Sequence, residues 1–154
     1  MNNDKAIETL NTLIEINNDR IEGYETASKE TDESDLKLLF ATFISTSRKC
    51  RQELVEQVFF LGGKPEEGTR ITGKFFRAWM DVKAALSGND RKTILASCEY
   101  GEDVAVATYD KEIENNFGEL SSSLQSMIMN QRNLIKADHD KIRSMLRTLD
   151  QISH

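Results

Sequence analysis

Residues 61–90 read LGGKPEEGTRITGKFFRAWMDVKAALSGND, and they differ from the chain on either side. Residues 62–73 hold four glycines and the single proline, Pro65, which predicts a loop. Phe75, Phe76, Trp79, Val82 and Leu86 then fall at helical spacing, so residues 75–86 are expected to form a short helix. Ser87-Gly88-Asn89-Asp90 punctuates again. Outward from this stretch the apolar spacing is helical and long. Upstream lie two helices, 4–30 and 35–61, separated only by Thr31-Asp32-Glu33-Ser34, a run of capping oxygens. The first carries Ile7, Leu10, Ile14, Asn17, Ile21, Tyr24 and Ser28 in alternating steps of three and four. The second ends at Gly62-Gly63, and Lys64-Pro65 keeps it from resuming. Downstream, a helix to about residue 115 and another over 119–152 flank the break Asn116-Phe117-Gly118.

Short links make each helix pair an antiparallel hairpin. The thirty residues between the pairs are enough to travel the length of a bundle and return. Two hairpins joined by one long crossover, itself containing a short extra helix, is a ferritin-like antiparallel four-helix bundle, not an up-down-up-down one. The expected architecture is therefore all-α, a single domain over residues 1–154.

Composition narrows the function classes. The chain is 38% hydrophobic and 30% charged, a globular balance. Its 20 basic residues face 26 acidic ones, a net charge of −6, which argues against a nucleic-acid partner. The longest apolar runs, such as 58–61, are four residues, far short of a membrane span, and Met1-Asn-Asn-Asp-Lys5 lacks a signal-peptide core. Cys50 and Cys98 form neither a CxxC nor a disulfide framework, so a reducing, cytoplasmic setting is expected.

In a ferritin-like di-iron bundle, helices 1 and 3 each give an inward Glu, and helices 2 and 4 each give Glu-x-x-His. The test is whether this chain keeps such a set. On helix 3, Glu102 lies within about 20–30° of the centre of the apolar stripe. The matching position on helix 1 is Asn17; on helix 2 the inward pair is Ser47 and Cys50. Helix 4 reads inward at Leu124, Met127, Gln131, Leu134, Ile135, Asp138 and Ile142, with His139 about 80° off that stripe. Asn17, Ser47, Cys50, Glu102, Gln131 and Asp138 thus form a predicted buried polar layer that fixes helix register. One inward Glu cannot balance two cations, so no iron or manganese cofactor is expected. If a single metal did bind, Glu102, Asp138, His139 and Cys50 would be its ligands.

Four motifs go further: Leu61-Gly-Gly-Lys-Pro65, Phe76-Arg-Ala-Trp-Met-Asp-Val-Lys-Ala-Ala85, Glu99-Tyr-Gly-Glu-Asp103 with Tyr109, and Ala137-Asp-His-Asp-Lys-Ile142. Together they resemble an uncharacterised bacterial family of ferritin-like four-helix-bundle proteins, distantly similar to rubrerythrin. The resemblance implies the fold, a bacterial cytoplasmic setting and self-association. Rubrerythrin's Glu seven residues before a Tyr is kept as Glu102 and Tyr109, while Asn17 and Tyr24 lack the Glu. Its Glu-x-x-His pairs correspond to Ser47 with Cys50 and to Lys136 with His139.

The expectation is a non-catalytic structural or interaction protein with a degenerate di-iron site, acting as a homodimer with no membrane or nucleic-acid partner. The alternatives are a metal-binding or redox protein with an atypical site around Glu102, and a small-ligand carrier with the Phe75–Trp79 helix over a pocket.

Overall fold

The computed structural model describes residues 3–68 and 91–152. Among these are four α-helices, α1 (Asp4–Glu30), α2 (Ser34–Phe60), α3 (Arg91–Asn116) and α4 (Ser122–Ile152), with a 3₁₀ turn at Phe117–Glu119 and no strand. The architecture is an all-α helical bundle. No helix among the described residues is long and apolar enough to cross a membrane. The predicted short helix, with Trp79, and the terminal His154 lie outside the described residues.

α1 packs along α2 and α3 along α4, as the short links require, and the two hairpins meet through α1–α3 and α2–α4 contacts. Two apolar clusters fix the direction of each helix. One joins Leu10 and Ile14 of α1 to Val58 of α2, Tyr109 of α3 and Leu124 of α4. The other joins Tyr24 and Ala27 to Leu36 and Phe40, to Ile94 and Leu95, and to Ile142. The start of α1 therefore shares one end of the bundle with the finish of α2, the finish of α3 and the start of α4. α2 and α3 both begin at the opposite end, where Arg91 reaches Glu33 and Asp35 at 3.2 and 2.5 Å. The chain thus leaves α2 at one end of the bundle and enters α3 at the other.

The turn out of α2 is built by its glycines. Gly62 has φ +85°, a left-handed conformation that suits glycine, and Gly63 N–H donates to Val58 O at 2.9 Å, closing a Schellman cap. A Cβ on Gly63 would fall 2.9 Å from the Ile7 side chain, so the chain passes there only without one. Beyond it, asparagines of α1 tie the connection down. Asn3 donates to Leu61 O, Asn11 to Lys64 O at 3.1 Å and Asn18 to Gly68 O at 2.9 Å. Asn11 Oδ1 also accepts from Glu66 N–H at 2.8 Å. Spaced eight and seven residues apart, these side chains form one row along α1.

Candidate functional site

Between the two apolar clusters lies the polar layer, and at its centre is a residue outside the predicted set. Arg20 of α1 is 0% exposed. Its Nε and Nη2 donate to Glu102 Oε1 at 3.1 and 2.7 Å. Nη2 also reaches Asp138 Oδ2 at 3.1 Å, and Nη1 donates to Ser47 Oγ at 2.6 Å. One guanidinium from α1 therefore binds a side chain from each of the other three helices. Tyr24, one turn further along α1, donates its hydroxyl to the same Glu102 oxygen. The Tyr24 ring lies against Phe40 and Phe43, with centroids 5.4 and 5.2 Å away, which holds the phenol in place.

A second network, with Glu53 as its one charged member, lies toward the α2 C-terminal end. Asn17 Nδ2 donates to Tyr109 Oη at 2.9 Å, and Tyr109 donates to Gln131 Oε1 at 2.7 Å. Gln131 Nε2 then donates to Cys50 O at 3.1 Å and Glu53 Oε1 at 3.0 Å. Asn17, Ser47, Cys50, Glu102 and Gln131 are all buried, and Asp138 is partly so. The structure thus divides them between the Arg20 layer and this second network.

The electrostatics follow from the burial. Desolvation is the largest single effect and opposes the Arg20 charge, but Glu102, Tyr24 and Asp138 together outweigh it, so the pKa is raised and the guanidinium stays charged. Burial raises Tyr24 and Tyr109 well above the usual phenol range, leaving both as neutral donors. Burial also pushes the Cys50 thiol up to about 12 and Cys98 higher still, so neither supplies a thiolate nucleophile. Asp138 is raised too, by burial first and partly opposed by the Arg20 charge.

His139 sits elsewhere. The α4 stripe predicted Leu134 inward and His139 off the face, but Leu134 is 38% exposed and His139 is buried at 3%. α4 is rotated toward α3, so His139 lies in the α3–α4 seam. There its Nε2 is 2.5 Å from Asp103 Oδ1 and its Nδ1 is 3.1 Å from Asp140 Oδ1. Arg143 Nη2 stands 3.4 Å from Nε2, and Arg143 Nε donates to Glu99 at 3.2 Å. His139 therefore does not join Glu102 and Asp138.

A metal pair does not fit this donor set. The two carboxylates of the layer are already engaged by a fixed cation, and its other members are two amides, a hydroxyl and a protonated thiol. Among the described residues, no three His, Cys, Asp or Glu side chains converge as metal ligands. Glu102 Oε2 and Asn17 Oδ1 remain buried without a hydrogen-bond donor among the described residues.

Arg20, Tyr24, Ser47, Glu102 and Tyr109 all fall within one stretch of the chain that the comparisons single out. No curated protein matches the sequence. One family's sequence profile does, over residues 5–116, which take in α1, α2 and α3 to its last residue. Asp138 and Gln131, contributed by α4, lie beyond that stretch. The match covers well over half of the 154 residues, so the chain belongs to the family described as a domain of unknown function, DUF2383.

Proposed function

We propose that this chain is a non-catalytic structural or interaction module, a cytoplasmic bacterial bundle of ferritin and rubrerythrin type in which the di-iron layer has degenerated. It works as a homodimer. The observation that carries this reading is Arg20. In a di-metal bundle the inward carboxylates surround cations; here Glu102 and Asp138 surround a guanidinium covalently fixed to α1. A side-chain cation with three hydrogen-bond partners cannot cycle between oxidation states or open a coordination position. What it does supply is register, because all four helices must align for its partners to meet.

The competing reading is a metal-binding or redox protein with an atypical site around Glu102. It draws on one observation, the Glu102 Oε2 that lacks a donor. Elemental analysis of protein purified from cells grown with excess iron and manganese separates the two. The expected result is metal far below stoichiometric, unchanged by Glu102→Ala. Stoichiometric metal that Glu102→Ala abolishes would overturn the structural reading.

A further inference from the structure

One face of α2 is poor in charge although 30% of the chain is charged. At the α2–α4 seam a groove of about 450 Å³ is lined by Leu38, Ala41, Thr42, Ser45 and Thr46, with Leu134 on one side and Lys49 at one end. The hydroxyls of both threonines are already engaged, that of Thr46 also by Asp138. Thr42 Oγ1 donates to Leu38 O at 3.1 Å and Thr46 Oγ1 to Thr42 O at 3.2 Å, so both hydroxyls turn back onto their own helix. Leu38 stands 71% exposed beside this floor. The described part of the connection after α2 does not cover it, since residues 61–68 are tied to the asparagine row of α1.

We infer that this face of α2 is where a second copy of the chain docks, antiparallel about a two-fold axis between Thr42 and Ser45. The inference rests on the self-association proposed above and specifies its surface. Three observations select a second copy as the occupant. Ala41, Thr42 and Ser45 are small enough for two helix backbones to approach closely across the floor. The spacing is self-complementary: an antiparallel crossing places Thr42 against Ser45 of the second copy, and Leu38 against the aliphatic stem of Lys49. The charges also complement each other. Lys49 makes no ion pair among the described residues, whereas Glu33 and Asp35, at the other end of the face, share the single guanidinium of Arg91. Antiparallel docking brings each Lys49 to the carboxylate-rich end of the other copy, twice over by symmetry.

The test uses the full chain and two kinds of variant. Sedimentation of the wild type should show a dimer. Ala41→Glu, which places an unpaired carboxylate on the floor, should raise the dimer dissociation constant on the order of a hundredfold while helix content by circular dichroism is unchanged. In the double variant Leu38→Cys, Lys49→Cys, mild oxidation should give a covalent dimer. Eleven residues apart on one helix, the two positions lie about 16 Å from each other and cannot bridge within a chain. The native cysteines, both fully buried, do not compete. A monomeric wild type at high concentration would overturn both this inference and the homodimer. A dimer that Ala41→Glu leaves intact, with no covalent product from the cysteine pair, would overturn only the α2 face.

Discussion

Asp138 and His139 are neighbours in sequence, yet they belong to different electrostatic environments. Asp138, itself partly buried, turns inward to Arg20 and, through it, to Glu102 and Ser47, three side chains with almost no contact with water. His139 turns into the α3–α4 seam, toward Asp103 and Asp140, both about half exposed. The same kinds of charge therefore do different work. Inside, each carboxylate has lost its hydration and depends on one guanidinium, so removing that partner strands it. In the seam the imidazole is buried but its carboxylates are not, so water and salt solvate Asp103 and Asp140 when a partner is removed.

The sharpest way to break this contrast is Arg20→Ala. It leaves Glu102 and Asp138 facing each other without a cation and should destabilise the fold by about 3–5 kcal/mol in urea titration at neutral pH. Arg20→Lys should recover little, because an ammonium cannot bond Glu102, Ser47 and Asp138 at once from the guanidinium's planar fork. Arg20→Met combined with Glu102→Leu and Asp138→Leu should recover most of the loss, since a buried ionic triad replaced whole by packed apolar side chains is often neutral. A cost below about 1 kcal/mol for Arg20→Ala would mean that the layer is hydrated and the contrast false. Next in size is Tyr24→Phe, which removes one donor from Glu102 and should cost about 1–3 kcal/mol while leaving the ring packed on Phe40 and Phe43.

That Arg20 escaped the sequence reading has a definite cause. The expected stripe on α1 ran through Ile7, Leu10, Ile14, Asn17, Ile21, Tyr24 and Ser28. The structure buries Leu10, Ile14, Asn17 and Tyr24 of that stripe, but it also buries Ala6, Leu13, Arg20 and Ala27, which with Leu10, Asn17 and Tyr24 make an equally regular alternation of four and three. Leu10, Asn17 and Tyr24 belong to both, so periodicity alone could not choose between them. Placing Ile21 on the stripe and leaving Arg20 off it followed side-chain hydropathy, whereas the other three helices supply Arg20 with partners that only the fold brings together. The same small rotation on α4 exposed Leu134 and buried His139. The bundle was legible because four long helices, the short links and the Gly62-Gly63 stop are local signals. Glu102 was legible because it lies near the middle of its stripe, where a modest rotation leaves it buried.

A third measurement sharpens the comparison through pH. Burial, the first cause, raises Asp138 above its ordinary 3.8 even against the Arg20 charge, so the folded state holds the Asp138 proton more tightly than the unfolded chain does. Stability from this group is present in full below the unfolded value and is lost as pH rises through the folded one. The wild type should therefore lose stability relative to Asp138→Asn as pH climbs from about 4 toward neutrality. A difference that stays flat over that window would show that Asp138 keeps enough water to titrate normally.

The smallest effect belongs to the seam. Arg143 is 44% exposed, so water reaches its guanidinium even while it contacts the partly exposed Glu99 and the buried His139 ring. Arg143→Ala should cost no more than about 0.5 kcal/mol, and that cost should vanish in molar salt, where screening extends over only about 3 Å. Salt should do little to Arg20→Ala, because no counter-ion reaches a layer closed on four sides by helices. If Arg143→Ala instead proved as costly as Arg20→Ala and as insensitive to salt, His139 and its carboxylates would be a second sealed charge cluster. The one-residue step from Asp138 to His139 would then no longer separate carboxylates held by a buried guanidinium from carboxylates open to water.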